Sequence, residues 1–260
     1  MEPPPGVLEA FGISAAPEPL AGGRGRSWRC GDLVLKPLDM SVEEIEWHGR
    51  TLASVDVDGF RLSHLRGLRD GWCAWEYVAG EHRERAWADV IAVGTRFHAA
   101  IARLPRPEFL DRRTHHWAVG DRVAWGELPV SDFGRVKHVA RLAAAVRPVD
   151  TTASQLVHGD LTGNVLFSAV LPPAVIDFSP FWRPPGFASA VVVGDALLWE
   201  GADERLLAAV TNLTDFPQFL VRALIFRAVV DALFRRGKPR RPDEDDCFLM
   251  PVDLACALAE

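Results

Sequence analysis

The hydrophobic rhythm of this chain changes near residue 80, and that change limits the folds open to it. Before it, short apolar runs alternate with turn residues. Leu33-Val34-Leu35-Lys36 reads as a strand behind the tight turn Gly31-Asp32, and 60–65 and 72–78 read as two more. Residues 7–11 suit a short helix. A longer helix starts after Ser41, where Ser41 and Glu44 fit a capping box with Glu44 folding back on the cap. Beyond residue 80, Trp87, Val90, Ile91, Gly94, Phe97, Ile101 and Leu104 recur at helical spacing until Pro105 and Pro107 stop them. A second helix is predicted over 132–146, and two short strands over 165–167 and 174–176. From Ala188 onward the chain is mainly helical. A β-rich block followed by a larger helical block predicts an α+β protein in two lobes, divided as 1–79 and 80–260.

Composition narrows the function classes. The 260 residues carry a net charge of −6, so there is no basic footprint for nucleic acid. The four cysteines form no C-x-x-C pair, which points to free thiols rather than a disulfide scaffold. The most apolar stretch, 216–234, is broken by Arg222, Arg227 and Asp231. It reads as a buried helix, not a membrane span. Residues 1–6 have no basic start and no apolar run, so a cytoplasmic chain is expected. Of 29 basic residues only Lys36, Lys137 and Lys238 are lysines, which makes each lysine informative.

The most specific segment is His158-Gly159-Asp160-Leu161-Thr162-Gly163-Asn164, followed thirteen residues later by Asp177. Phosphoryl transfer needs a hard cation held by a few oxygen ligands, which Asn164 and Asp177 can supply. It also needs a carboxylate beside the attacking hydroxyl to orient it and take its proton, a role that suits Asp160.

These residues resemble the catalytic loop and metal-binding motif of kinase-like phosphotransferases, and especially the aminoglycoside phosphotransferase superfamily in an actinobacterial branch. The resemblance covers most of the chain. It implies a two-lobed protein-kinase-like fold with a small β-rich N-lobe, a larger mainly helical C-lobe and the nucleotide in the cleft. Gly22, Gly23, Gly25 and Ser27 look like the phosphate loop, and Lys36 like the ATP lysine. Lys36 would pair with a helix glutamate, Glu46 or alternatively Glu43. Trp75-Glu76-Tyr77-Val78 resembles the hinge, whose backbone at Glu76 and Val78 would bind adenine. Asn164 and Asp177 would hold Mg2+, and His158 and Asp195 would brace the loop. Residues 94–98, ending in His98, resemble the helix with a late histidine, and His98 alone reads as a satisfied core residue.

Two departures stand out. Three residues separate Asp160 from Asn164 where protein kinases have four, and Ser179 stands where the Asp-Phe-Gly pattern has glycine. Asp132-Phe133-Gly134 precedes the loop and is a decoy. Trp182 and Arg183 follow the metal motif closely, and the Trp182 ring could stack on a sugar face. His115-His116 reads as loop surface. The run Asp243-Glu244-Asp245-Asp246 reads as a solvated loop beside Arg240 and Arg241, or as an attractor for a cationic substrate.

The expectation is an ATP- (or other NTP-) and Mg2+-dependent kinase of a small hydroxylated metabolite. A sugar or amino sugar comes first as acceptor, then an aminoglycoside or amino alcohol. The competing reading is a non-catalytic nucleotide-binding pseudokinase.

Overall fold

The computed structural model describes residues 1–21, 25–134, 136–210, 213–235, 238 and 246–260. The elements run α1 (Pro5–Ala10), β1 (Glu18–Pro19), β2 (Trp28–Cys30), β3 (Leu33–Pro37), α2 (Val42–Ala53), β4 (Arg61–Leu62), β5 (Leu65–Arg69), β6 (Trp72–Glu76) and α3 (Trp87–Ile101). Then follow α4 (Phe109–Arg112), α5 (His116–Ala124), α6 (Val139–Ala145), β7 (Gln155–His158), β8 (Val165–Leu166), β9 (Ala174–Val175) and β10 (Pro180–Arg183). Last come α7 (Pro185–Trp199), α8 (Phe216–Phe234) and α9 (Leu249–Ala259).

Two compact units divide the chain. The first is Met1–Arg83 with Ala99–Ile101 and Gly163–Phe178; the second is the rest. The split is not a single cut near residue 80, because the segment holding Asn164 and Asp177 belongs with the first unit.

In the first unit an antiparallel sheet is ordered β1-β2-β3-β6-β5. Its buried Cys30, Leu35, Trp72 and Ala74 pack with Val7 of α1, and Leu8 and Phe11 extend that cover. The sequence reading gives one strand over 60–65. The structure instead has β4, then β5, which pairs with β6 through Asp70-Gly71. Both turn residues have positive φ, 47° and 78°, as a type I′ two-residue hairpin turn requires. A second small sheet is ordered β4-β9-β8, with β4 parallel to β9.

Gly80 lies beside this second sheet. A Cβ there would meet Leu166 Cβ at 2.8 Å and the Phe167 carbonyl at 3.1 Å. A backbone carbonyl cannot rotate away. We expect Gly80→Ala to lower unfolding free energy by about 1–3 kcal/mol, read as a reduced urea midpoint; an unchanged midpoint would refute the close-packing argument.

The second unit is built round α8, which is buried at Phe216 and from Gln218 through Val230 and packs against α5, α6, α7 and α9. That burial explains its nearly unbroken apolar sequence. Among the described residues no helix is long and apolar enough to cross a membrane. The predicted helix over 132–146 is shorter. A 3-10 turn spans Val130–Phe133, and α6 starts only after His138, whose φ of 71° breaks helical continuity. His115 is exposed, as expected, and has a structural role as well. It caps α5, its Nδ1 accepting from the Ala118 N–H at 3.2 Å. Of the acidic run, Asp243, Glu244 and Asp245 lie outside the described residues, as do Arg240 and Arg241. Asp246 bonds His138 Nε2 at 2.8 Å and also meets Lys137.

Candidate active site

In the first unit, strand register places the groups. Lys36 sits within β3 opposite Cys73 of β6. The β8–β9 pair aligns Val165 with Val175, and one step beyond it the Ile176 N–H donates to the Asn164 carbonyl at 3.0 Å. Asn164 and Asp177 therefore leave the same end of the hairpin. Asp177 has φ of 50°, a left-handed conformation uncommon outside glycine. Its Oδ1 accepts from Lys36 Nζ.

Lys36 is thus paired with Asp177, not with the expected Glu46. α2 turns Ile45 and His48 inward, which leaves Glu46 on the exposed face, 3.7 Å from Arg50. The alternative, Glu43, lies in the first turn of α2. The cap itself holds, with Ser41 Oγ accepting from the Glu44 N–H at 3.2 Å. Phe178, next to Asp177, stacks on Trp47 of α2 at 6.4 Å between ring centroids.

Of the phosphate-loop residues, Gly22 and Gly23 lie outside the described residues. Gly25 has φ of 66°, and Ser27 is buried, its carbonyl accepting from the Leu20 N–H at 3.0 Å. At the expected hinge, both backbone groups of Glu76 are already bonded. Its N–H donates to His64 O at 2.9 Å and its carbonyl accepts from Ser63 Oγ at 2.7 Å. The Glu76 N–H is thus taken, while its carbonyl keeps a second lone pair that can still accept. Val78 follows just beyond β6.

In the second unit, β7 delivers His158 and then Asp160. The turn is tight. A Cβ on Gly159 would run into the Phe181 ring, and the Gly159 N–H donates to Ser179 O at 2.9 Å. His158 holds the loop through its ring, whose Nδ1 accepts from the Asp160 N–H at 3.1 Å. The His158 N–H in turn donates to His98 Nε2 at 3.0 Å. Both histidines are buried. Burial, then the nearby His158, pulls the His98 pKa down to about 3. A neutral His98 is what an accepting Nε2 requires.

The Asp160 carboxylate accepts from Arg227 Nη2 at 2.8 Å. Arg227, on α8, also makes two 2.6 Å bonds to Asp195 of α7. Asp195 therefore reaches Asp160 through an arginine. The sequence reading assigns Arg227 no role in the site; its signal is that it is one of three charges breaking a largely apolar helix.

Trp182 and Arg183 lie on β10, paired with Leu156 and Gln155. Arg183 is committed to an ion pair: two bonds to Asp121 at 3.0 and 2.6 Å, and a third contact to Glu127 at 2.7 Å. Both residues line a cavity of about 170 Å³ that Arg106, Asp111, Arg113 and Arg122 also face. Every carboxylate there is already held by an arginine. Among the described residues no group of three or more His, Cys, Asp or Glu could hold a metal by itself.

Comparison with known proteins bears on the family and the fold. A model of the Phosphotransferase enzyme family matches residues 42–181. No curated protein matches the chain. Among solved structures, a thermostable mutant of aminoglycoside phosphotransferase APH(4)-Ia in apo form is similar with a TM-score of 0.60 and 13% identity, covering 97% of each chain. A streptomycin–ATP–APH(2")-IIa ternary complex gives 0.58 at 12% identity, over 89% of this chain and 92% of that one. A choline/ethanolamine kinase family protein from Mesorhizobium loti gives 0.54 at 17% identity, over 98% and 90%. The fold is the two-lobed protein-kinase-like one, of class α+β.

Proposed function

We propose that this chain, which belongs to the phosphotransferase enzyme family, moves the γ-phosphate of ATP or another NTP to a hydroxyl of a small metabolite with the help of Mg2+. That it is a phosphotransferase acting on an alcohol group follows from the family. The nucleotide, the metal and the acceptor are our reading. A cytoplasmic location belongs to the same reading.

One observation carries it. The β8–β9 hairpin brings Asn164 and Asp177 to one end, with the ammonium of Lys36 on Asp177. An amide oxygen and one carboxylate suit Mg2+, which takes few protein ligands and completes its shell with phosphate oxygens and water. Bound there, the ion would neutralise charge on the phosphates. Lys36 would bind phosphate beside it, and the first unit would be the nucleotide-binding part, with Gly25, the backbone at Val78 and the remaining loop glycines contributing. In the second unit Asp160 would orient the acceptor hydroxyl and take its proton. The chemistry is positioning and charge neutralisation, with no covalent intermediate.

A sugar or amino sugar is our first choice of acceptor, with Trp182 as a stacking surface, and an aminoglycoside or amino alcohol our second. Streptomycin in one similar structure, and the choline/ethanolamine kinase family name of another, support small hydroxylated acceptors.

Two measurements test this. Mg2+-ATP should raise the melting temperature of the wild type, and Asp177→Ala should abolish the metal-dependent part of the rise. No such rise would remove the nucleotide and metal assignments. Transfer is then measured across glucose, glucosamine, ethanolamine, choline and streptomycin. Transfer to at least one supports an active kinase, whereas a Mg2+-ATP shift without any transfer favours the pseudokinase reading that the short Asp160–Asn164 spacing suggests.

A further inference from the structure

We infer that Arg227 positions the Asp160 carboxylate for phosphoryl transfer, with Asp195 as its buried anchor; this rests on the kinase reading above.

An arginine inside a core helix is costly unless paired. Two bonds to Asp195 already meet that need, since one carboxylate neutralises one guanidinium. The bond to Asp160 goes beyond neutralisation. It leaves two carboxylates on one cation, with the surplus negative charge on the more exposed member. Side-chain exposure rises from 3% at Asp195 and 6% at Arg227 to 40% at Asp160. The arginine is therefore fixed from behind and presents Nη2 forward.

The guanidinium is planar, and its plane is set by the bidentate grip on Asp195. The same Nη2 donates to Asp195 Oδ2 and to Asp160 Oδ1. The direction of the bond to Asp160 is thus fixed by two residues outside the loop. The terminal torsion of an aspartate is otherwise broad. Holding Oδ1 settles where Oδ2 points, and the Asp160 N–H to His158 Nδ1 bond fixes the backbone it hangs from. Lysine would carry the charge but not the fork.

In the reaction the acceptor oxygen bonds the γ-phosphorus, the bond from that phosphorus to the departing nucleoside diphosphate breaks, and the hydroxyl proton goes to Asp160. Arg227 keeps its own protons throughout. Burial would lower its pKa, but the Asp195 and Asp160 carboxylates outweigh burial and hold it above its ordinary value.

The test is made on the full chain with Mg2+-ATP, reading phosphate release to water and transfer to the panel acceptors. Arg227→Met alone would strand Asp195 as a buried unpaired charge. The informative variant is therefore Asp195→Asn with Arg227→Met, which removes both charges together. Circular dichroism and melting establish that it folds. If Arg227 positions Asp160, this variant binds Mg2+-ATP within about threefold of wild type while kcat falls about 10- to 100-fold, the cost of a misplaced reacting group. Arg227→Lys should lose kcat similarly with KM for ATP unchanged. In an Asp160→Asn background the double change should cost nothing more, because the group it positions is already gone. A folded double variant with wild-type kcat would overturn the inference and leave the kinase reading intact. Neither release nor transfer by the wild type would overturn both.

Discussion

Asp160→Asn is expected to lower transfer by about 100- to 10,000-fold, the usual worth of a positioned proton acceptor. The substitution keeps the shape of the side chain and its oxygen toward Arg227, so the 2.8 Å bond from Nη2 can persist. What it removes is the negative charge and the ability to take the hydroxyl proton. Binding groups assigned to the nucleotide, Lys36, Asn164 and Asp177, are untouched. The Mg2+-ATP melting shift should therefore survive while kcat collapses. That split is the useful feature, because a variant that merely unfolded would lose both. Transfer at wild-type rates in the asparagine variant would remove Asp160 from the mechanism. Loss of the melting shift along with kcat, in a variant whose melting without nucleotide matches the wild type, would mean that Asp160 supports nucleotide binding instead.

Why the sequence revealed some of this site and hid the rest has a physical basis. Asn164 and Asp177 are legible because a hairpin of two short strands converts a fixed offset in the chain into a fixed register in space. Lys36 is legible because it ends a strand pattern in a chain with three lysines. Its partner is not. Asp177 lies 141 residues away, and no periodicity reports which carboxylate a strand lysine will meet. The capping pattern located α2, but the expected pair with Glu46 failed on helix phase: burying Ile45 and His48 turns Glu46 outward. Arg227 is hidden in the same way, 67 residues from Asp160. The visible signal, shared with Arg222, was an arginine within a largely apolar helix, and a buried charge demands a buried partner. Following that demand to Asp195, already read as a brace, would have joined the two. Elsewhere, Asp70-Gly71 is a recognisable hairpin turn, and the sequence reading passed over it, running β4 into the start of β5 and missing the rest of β5.

Acid should destabilise this protein earlier than its carboxylates alone would, through His98. Its ring is buried, and its Nε2 accepts the backbone N–H of His158, which only a neutral imidazole can do. Burial and the neighbouring His158 hold its pKa at about 3 in the folded chain, against 6.5 when unfolded. Between those values the unfolded chain takes up a proton that the folded chain refuses. Stability is therefore fully present above pH 6.5 and is lost progressively as pH falls toward 3. A depression of this size corresponds to a loss of about 4–5 kcal/mol at the limit, a large share of an ordinary folding free energy. His115 is also held down, to about 4, by partial burial and by the nearby Arg113 and Arg122, but the residue is largely exposed and adds little. Urea unfolding at pH 7, 5.5 and 4.5 should show a steady fall in the midpoint. His98→Gln keeps an acceptor for the His158 N–H and cannot take up the proton, so it should be less stable at pH 7 yet show a shallower fall. Equal slopes for the two proteins would show that His98 does not carry the acid sensitivity.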